Sequence, residues 1–157
     1  MTVPHPTSEF RIDVDIVLQT VLPVEIDLQS LPDLAEFVLR AEKQRGQWDV
    51  AIVFTDDAAL RALHRDFMGI DSETDVMTFP SGDSVAESQN GGDIVISIER
   101  AADNARDVGH STWEETRFLV VHGLLHLCGW NDASEAERLR MLDRQQELLI
   151  AFSLGSQ

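Results

Sequence analysis

His122, Gly123, Leu124, Leu125, His126, Leu127, Cys128, Gly129, Trp130, Asn131 and Asp132 form one continuous stretch of the 157-residue chain. Two histidines four residues apart share one face of a helix. Gly129 suits the left-handed conformation that closes a helix, after which the chain doubles back and Asp132 reaches the point the two imidazoles face. The run from Phe118 to Cys128 is otherwise apolar, so two unpartnered imidazoles there would be costly to bury. A divalent cation held by His122, His126 and Asp132 answers that cost, although an isolated pair of helical histidines is more often structural and a loop Asp also caps helices. Three protein ligands leave a tetrahedral ion one open position for water, the arrangement of catalytic zinc sites. Water bound there ionises near neutral pH. The zincin protease signature has a general-base Glu directly after its first His, where this chain has Gly123, so a thermolysin-like peptidase is disfavoured.

Working outward, Ser111 and Glu114 form a capping box that opens the histidine helix, and Ser134 with Glu137 opens a last helix. Leu139, Leu142 and Leu149 predict that this last helix packs back on the core. Upstream, Ile12, Val14, Ile16 and Leu18 alternate with Arg11, Asp13, Asp15 and Gln19, the period of a half-buried outer strand. Ser30 and Pro32 open a helix with Leu34, Phe37, Val38 and Ala41 on one face, and Gly46 marks its end. Val50 to Phe54 is continuously apolar and reads as a strand buried on both faces. Asp56 caps a second helix bearing Leu60, Leu63 and Phe67. Thr74 to Phe79 reads as a third strand, joined by a polar, mobile loop from Ser81 to Gly92 to a fourth at Asp93 to Ile96, antiparallel to it. Ser97 caps a helix ending at Gly109, and Ser153 to Gln157 reads as a frayed tail. The expected fold is α+β: a small mixed four-stranded sheet covered by about five helices, with the metal site at the C-terminal helix-turn.

The His122 to Asp132 stretch resembles the signature of the YbeY family of bacterial endoribonucleases, His-Gly-x-Leu-His-Leu-x-Gly-Tyr-Asp-His. Trp130 stands for the aromatic, Asn131 for the Asp and Asp132 for the third His. Leu63, Phe67, Gly69, Asp71, Thr74, Asp75, Val76, Phe79 and Pro80 resemble the family segment built around Thr-Asp-Val-Leu-Ser-Phe-Pro, and Gly92 to Ser97 resembles its Gly-Asp-Ile-x-Ile-Ser strand. The resemblance covers roughly residues 63 to 149. It implies a single metal-dependent hydrolase domain over residues 1–157, carrying one Zn2+. The implied activity is single-strand-specific endoribonuclease cleavage in ribosomal RNA maturation and quality control of the small ribosomal subunit; DNA is not an expected partner.

Two positions depart from the family pattern. Asp132 replaces an imidazole; a carboxylate is an acceptable zinc ligand, but its charge makes the ion polarise bound water less. Met68 stands where the family has an Arg thought to meet substrate phosphate, and a thioether cannot supply a guanidinium's bidentate fork. His64 and Arg65, a helical turn upstream, are the candidate substitutes. These departures define the alternative functions: a catalytically weakened metal-binding ribosome-assembly factor, or a metallohydrolase acting on non-RNA substrates.

Other residues carry less chemistry. Asp75 is a candidate for contacting substrate or orienting a ligand, against the plainer role of bonding nearby backbone. His110 reads as an exposed residue, and Glu115 as a solvated helix residue rather than an acceptor behind the metal ligands. Cys128 reads as a buried, inert thiol, and Trp130 as either a base-stacking ring or a lid on the metal helix. With 28 acidic against 12 basic side chains the formal charge is −16, which opposes generic phosphate-backbone binding and leaves RNA recognition to a focused site. One cysteine, an N-terminal stretch without a charged start or apolar core, and the absence of a long apolar run predict a cytoplasmic chain with no membrane partner.

Overall fold

A computed structural model describes residues 9–81 and 90–155. Strands β1 (Phe10–Leu18), β2 (Gly46–Thr55), β3 (Val76–Pro80) and β4 (Asn90–Ser97) form one sheet in the order β1-β2-β4-β3. β1 pairs with β2 and β2 with β4 in parallel, while β3 pairs with β4 antiparallel, so the sheet is mixed. The helices are α1 (Leu31–Ala41), α2 (Asp57–Met68), α3 (Ile98–Val108), α4 (Thr112–Leu127) and α5 (Glu135–Gly155), with a short 3-10 turn at Leu28–Ser30 before α1. This is the expected α+β fold.

β1 lies at the sheet edge, with Phe10, Ile12, Val14 and Ile16 turned toward the core and Arg11, Asp13 and Asp15 toward solvent. In β2 the side chains of Val50, Ile52 and Phe54 enter the main core, whereas Val53 faces a smaller cluster with Leu60, Leu63, Met77, Phe79 and Val95. α2 therefore covers one face of the sheet, and α1, α3, α4 and α5 contribute to the core on the other. α4 is central: it touches α1, α3, α5, β3 and β4, and it buries Leu119, Val120, Val121, Leu124 and Leu125. A helix surrounded in this way loses the usual one-sided apolar stripe.

Local capping follows the sequence closely. Asp56 accepts from Ala59 N, Ser97 from Arg100 N, Ser134 from Glu137 N, and Ser111 with Glu114 makes the reciprocal box at the start of α4. Four expectations need correction. Helix α1 ends at Ala41, and Gly46, expected to close it, is instead the first residue of β2. The strands β2 and β4 extend beyond the apolar runs, because Gly46, Gln47, Asn90 and Gly92 pair in the ladder whatever their hydropathy. The inward face of α5 centres on Met141, Gln145 and Leu148, and Leu139 is exposed. Ser153 to Gly155 continue α5 rather than fraying. The mobile loop lies, for residues 82–89, outside the described residues, as do residues 156–157 of the expected tail.

Candidate metal centre

The histidine pair is held by the tightest helix-to-sheet approach in its neighbourhood. Gly123 is buried over β4, and a Cβ at that position would come within 2.6 Å of Ile94 Cγ2. The position after His122 therefore faces the sheet, not the cleft. No side chain fits at that position unless Ile94 is displaced, so the Glu of the zincin signature is sterically excluded there. At the other end, Gly129 adopts φ +100° and closes the helix as its sequence position predicts.

The turn brings His122, His126 and Asp132 together, with ligand atoms all within 4.8 Å of one another. His122 Nε2 lies 3.0 Å from His126 Nε2, and Asp132 Oδ2 lies 3.6 Å and 3.3 Å from the two nitrogens. Both outer nitrogens are committed. His122 Nδ1 is 3.1 Å from Gln145 Oε1, and His126 Nδ1 is 3.0 Å from the Trp130 carbonyl. Those partners can only accept, so each Nδ1 carries the hydrogen and each neutral ring turns an Nε2 lone pair inward. Gln145 cannot reverse its amide without loss, because its Nε2 donates to Phe118 O at 3.3 Å.

Two lone pairs and a carboxylate facing one point repel each other unless a cation or proton sits between them. Zinc bonds of about 2.0–2.2 Å at tetrahedral angles separate ligand atoms by about 3.3–3.6 Å. The two separations to Asp132, 3.3 and 3.6 Å, fall in that range, and the 3.0 Å between the nitrogens lies about 0.3 Å below it. The donor set thus fits a divalent ion of zinc's size. Burial, partly offset by the Gln145 contact, pushes the His122 pKa below its ordinary value and favours the neutral, metal-ready ring.

A cleft of about 400 Å³ opens beside the triad, lined by His64, Met68, Thr74, Asp75, Val76, Met77, Thr78 and the three candidate ligands. Over residues 20–153 the chain matches the family described as Endoribonuclease YbeY. The chain belongs to the YbeY endoribonuclease family. The Endoribonuclease YbeY of Beutenbergia cavernae is 39% identical over 140 residues, covering 85% of this chain and 93% of that protein. That of Roseiflexus sp. is 35% identical over 156 residues, covering 94% and 96%. The fold is also that of the solution structure of TM1509 from Thermotoga maritima, with a TM-score of 0.59 at 22% identity over 92% of this chain and 93% of that one.

Around the triad of this YbeY family member, the other candidates separate clearly. Asp75 lies in the cleft wall, its Oδ2 held at 3.1 Å by Asn104 Nδ2 and its carbonyl bonded to Ser97 N. His64 also lines the cleft, with Nδ1 3.0 Å from Ser72 O, whereas Arg65 is paired with Asp66 and is not a lining residue. Met68 lines the cleft with no charged group to offer. The Trp130 indole donates to Glu42, which also accepts from Arg144 at 2.8 Å, so the ring is anchored beside the metal turn.

Glu115 is a correction. It is buried, not solvated, and pairs at 2.8 Å with His110, expected to be exposed and instead half-buried; neither lines the metal cleft. Its position among apolar neighbours on α4 follows from that helix being enclosed on most sides. Cys128 is half-buried and its thiol is pushed up to about 12 by burial, with the Glu42 charge adding to it, so it is inert as expected.

Gln145 and Glu42 went unread in the sequence. A polar residue interrupting the inward stripe of Met141 and Leu148 was the available signal for Gln145. Nothing local marked Glu42, whose partner Arg144 is 102 residues away.

Proposed function

We propose that this chain is a zinc-dependent endoribonuclease in which His122, His126 and Asp132 hold the ion, and that it cleaves single-stranded RNA during ribosomal RNA maturation and small-subunit quality control in the cytoplasm. Its family supplies the endoribonuclease activity in RNA processing; the donor set supports the metal dependence. When bound, zinc supplies Lewis acidity toward a phosphate oxygen and lowers the pKa of the attacking water.

The chain's own residues do the rest. Gln145 and the Trp130 carbonyl keep both imidazoles in the tautomer that points Nε2 inward. Asp132 neutralises half the charge of a dication, which favours retention of the ion but reduces its pull on water. Asp75, steadied by Asn104, presents a carboxylate to the same cleft and serves as a hydrogen-bond acceptor for substrate.

The observation that carries this reading is the convergence of two Nε2 lone pairs and one carboxylate beside an open cleft. Cleavage of a purified single-stranded RNA, abolished by chelation and restored by zinc, tests it, with the His122→Ala protein as control. Equal cleavage by that variant rejects the assignment. Zinc binding without any cleavage would instead favour a metal-binding assembly factor, the reading to which Met68 and Asp132 lend weight.

A further inference from the structure

An acidic chain that cleaves RNA needs a source of affinity other than phosphate attraction. The formal charge is −16, and among the described residues no Lys or Arg lines the cleft. The nearby guanidinium groups are already engaged: Arg61 with Asp71, Arg65 with Asp66, and Arg100 with Asp57 and Glu73. Among the described residues, backbone phosphates away from the metal therefore find no Lys or Arg in the cleft wall.

The C-terminal end of α2 offers a different kind of contact. Phe67, Met68 and Ile70 are 67%, 61% and 47% exposed, three large apolar side chains within four residues. Their closeness in the chain distinguishes them from apolar side chains exposed singly, and contiguous exposed apolar surface is where partners and ligands bind. Phe67 is fixed from behind by Phe79, whose ring meets it edge to face at a centroid distance of 5.3 Å. That arrangement holds the Phe67 ring in place. Met68, the chain neighbour of Phe67, lines the metal cleft, which puts this end of α2 at the edge of the cleft.

We propose that Phe67, Met68 and Ile70 form a stacking shelf for the unpaired bases of single-stranded RNA, next to the bond to be cut. The inference rests on the single-stranded RNA substrate of the nuclease reading, not on cleavage itself, and adds the element that selects that substrate. Bases within a duplex keep their faces covered by their neighbours, whereas unpaired bases can stack on an aromatic ring without regard to sequence. Preference for single strands then follows from the shelf, and affinity does not require a basic surface.

The test compares wild type, Phe67→Ser and Phe67→Trp for binding, by fluorescence anisotropy, of a single-stranded adenosine-rich RNA and of an abasic strand of equal length. Each variant's thermal unfolding is recorded alongside, and the exposed position predicts no large change. Phe67→Ser should weaken binding of the base-bearing strand by about fivefold or more, the range of one lost aromatic stack. It should leave the abasic strand unaffected, and Phe67→Trp should bind at least as well as wild type. Equal binding by wild type and Phe67→Ser, an equal loss on both strands, or no binding by wild type would overturn the shelf. Cleavage by the zinc-loaded proteins separates the two readings. A wild type that binds but never cuts removes the nuclease assignment and leaves the shelf, while unchanged binding and cutting by Phe67→Ser removes the shelf alone.

Discussion

Gln145 Oε1 accepts from His122 Nδ1 across 3.1 Å, joining α5 to α4 behind the candidate metal ligands. Gln145 is fully buried, and its amide is locked because the nitrogen end donates to Phe118 O. The pair fixes which nitrogen of His122 is bare, a task no residue on α4 itself performs.

Replacing Gln145 with Leu keeps the volume but frees the ring and leaves Nδ1–H without its acceptor. Zinc affinity should drop by about 10- to 100-fold, the usual cost of losing a group that orients a metal-bound His. Competition with a chromophoric chelator measures it. An unchanged affinity would mean that Gln145 serves packing only.

Gly123 makes a sharper claim about the fold. The added methyl of Gly123→Ala meets the side chain of Ile94, itself fully buried, so either that side chain or α4 must give way. A loss of about 1–3 kcal/mol in unfolding free energy is expected from such overpacking. Denaturant titration reads it directly. Stability equal to wild type would show that the helix and sheet are looser than the geometry implies.

Acid should weaken the site well above the range where carboxylates titrate. Burial holds the His122 pKa below the unfolded value of about 6.5, so the unfolded chain takes up the proton first as pH falls. Stability from the neutral ring is complete above about pH 6.5 and is lost on descending toward the folded value. Protons also compete with the ion for the same nitrogen. The melting temperature of chelator-treated protein should fall between pH 7 and pH 5, and less so in His122→Asn. Identical profiles for the two proteins would contradict this origin.

Met68 sits in the cleft without a charge, and an arginine there would add the missing phosphate contact. The Met68→Arg protein should show RNA affinity that falls more steeply with salt, by about 0.7 in the log–log slope for one added contact to a single strand. Binding measured between low and moderate ionic strength decides it. A slope equal to that of wild type would place residue 68 away from the RNA backbone.

Much of this architecture could be read before any coordinates. The Ser111–Glu114 box, the i to i+4 spacing of the histidines and the Gly129 turn are local, and local geometry converts spacing into direction without help from the rest of the chain. The alternation of β1 located the edge strand for the same reason. What stayed hidden depends on elements distant in sequence. Gln145 meets His122 only after α5 has folded back, and Glu42 meets Trp130 and Arg144 only when the end of α1 reaches the metal turn. Glu115 was misread because enclosure of α4 by its neighbours erases the periodicity that separates buried from solvated helix positions. Phe67 was read as part of the apolar face of α2, yet that face turns out to solvent at its last turn, where the sheet no longer covers it.

The central claim is that two imidazoles and one carboxylate hold a single divalent ion. Elemental analysis of protein purified without chelators, beside the His122→Ala, His126→Ala and Asp132→Ala variants, tests it most directly. The account predicts about one zinc per wild-type chain, none retained by either His variant, a weakened complement in Asp132→Ala, and the same circular dichroism for all four. Stoichiometric zinc in both His variants, or none in the wild type after zinc is supplied and excess removed, would contradict it.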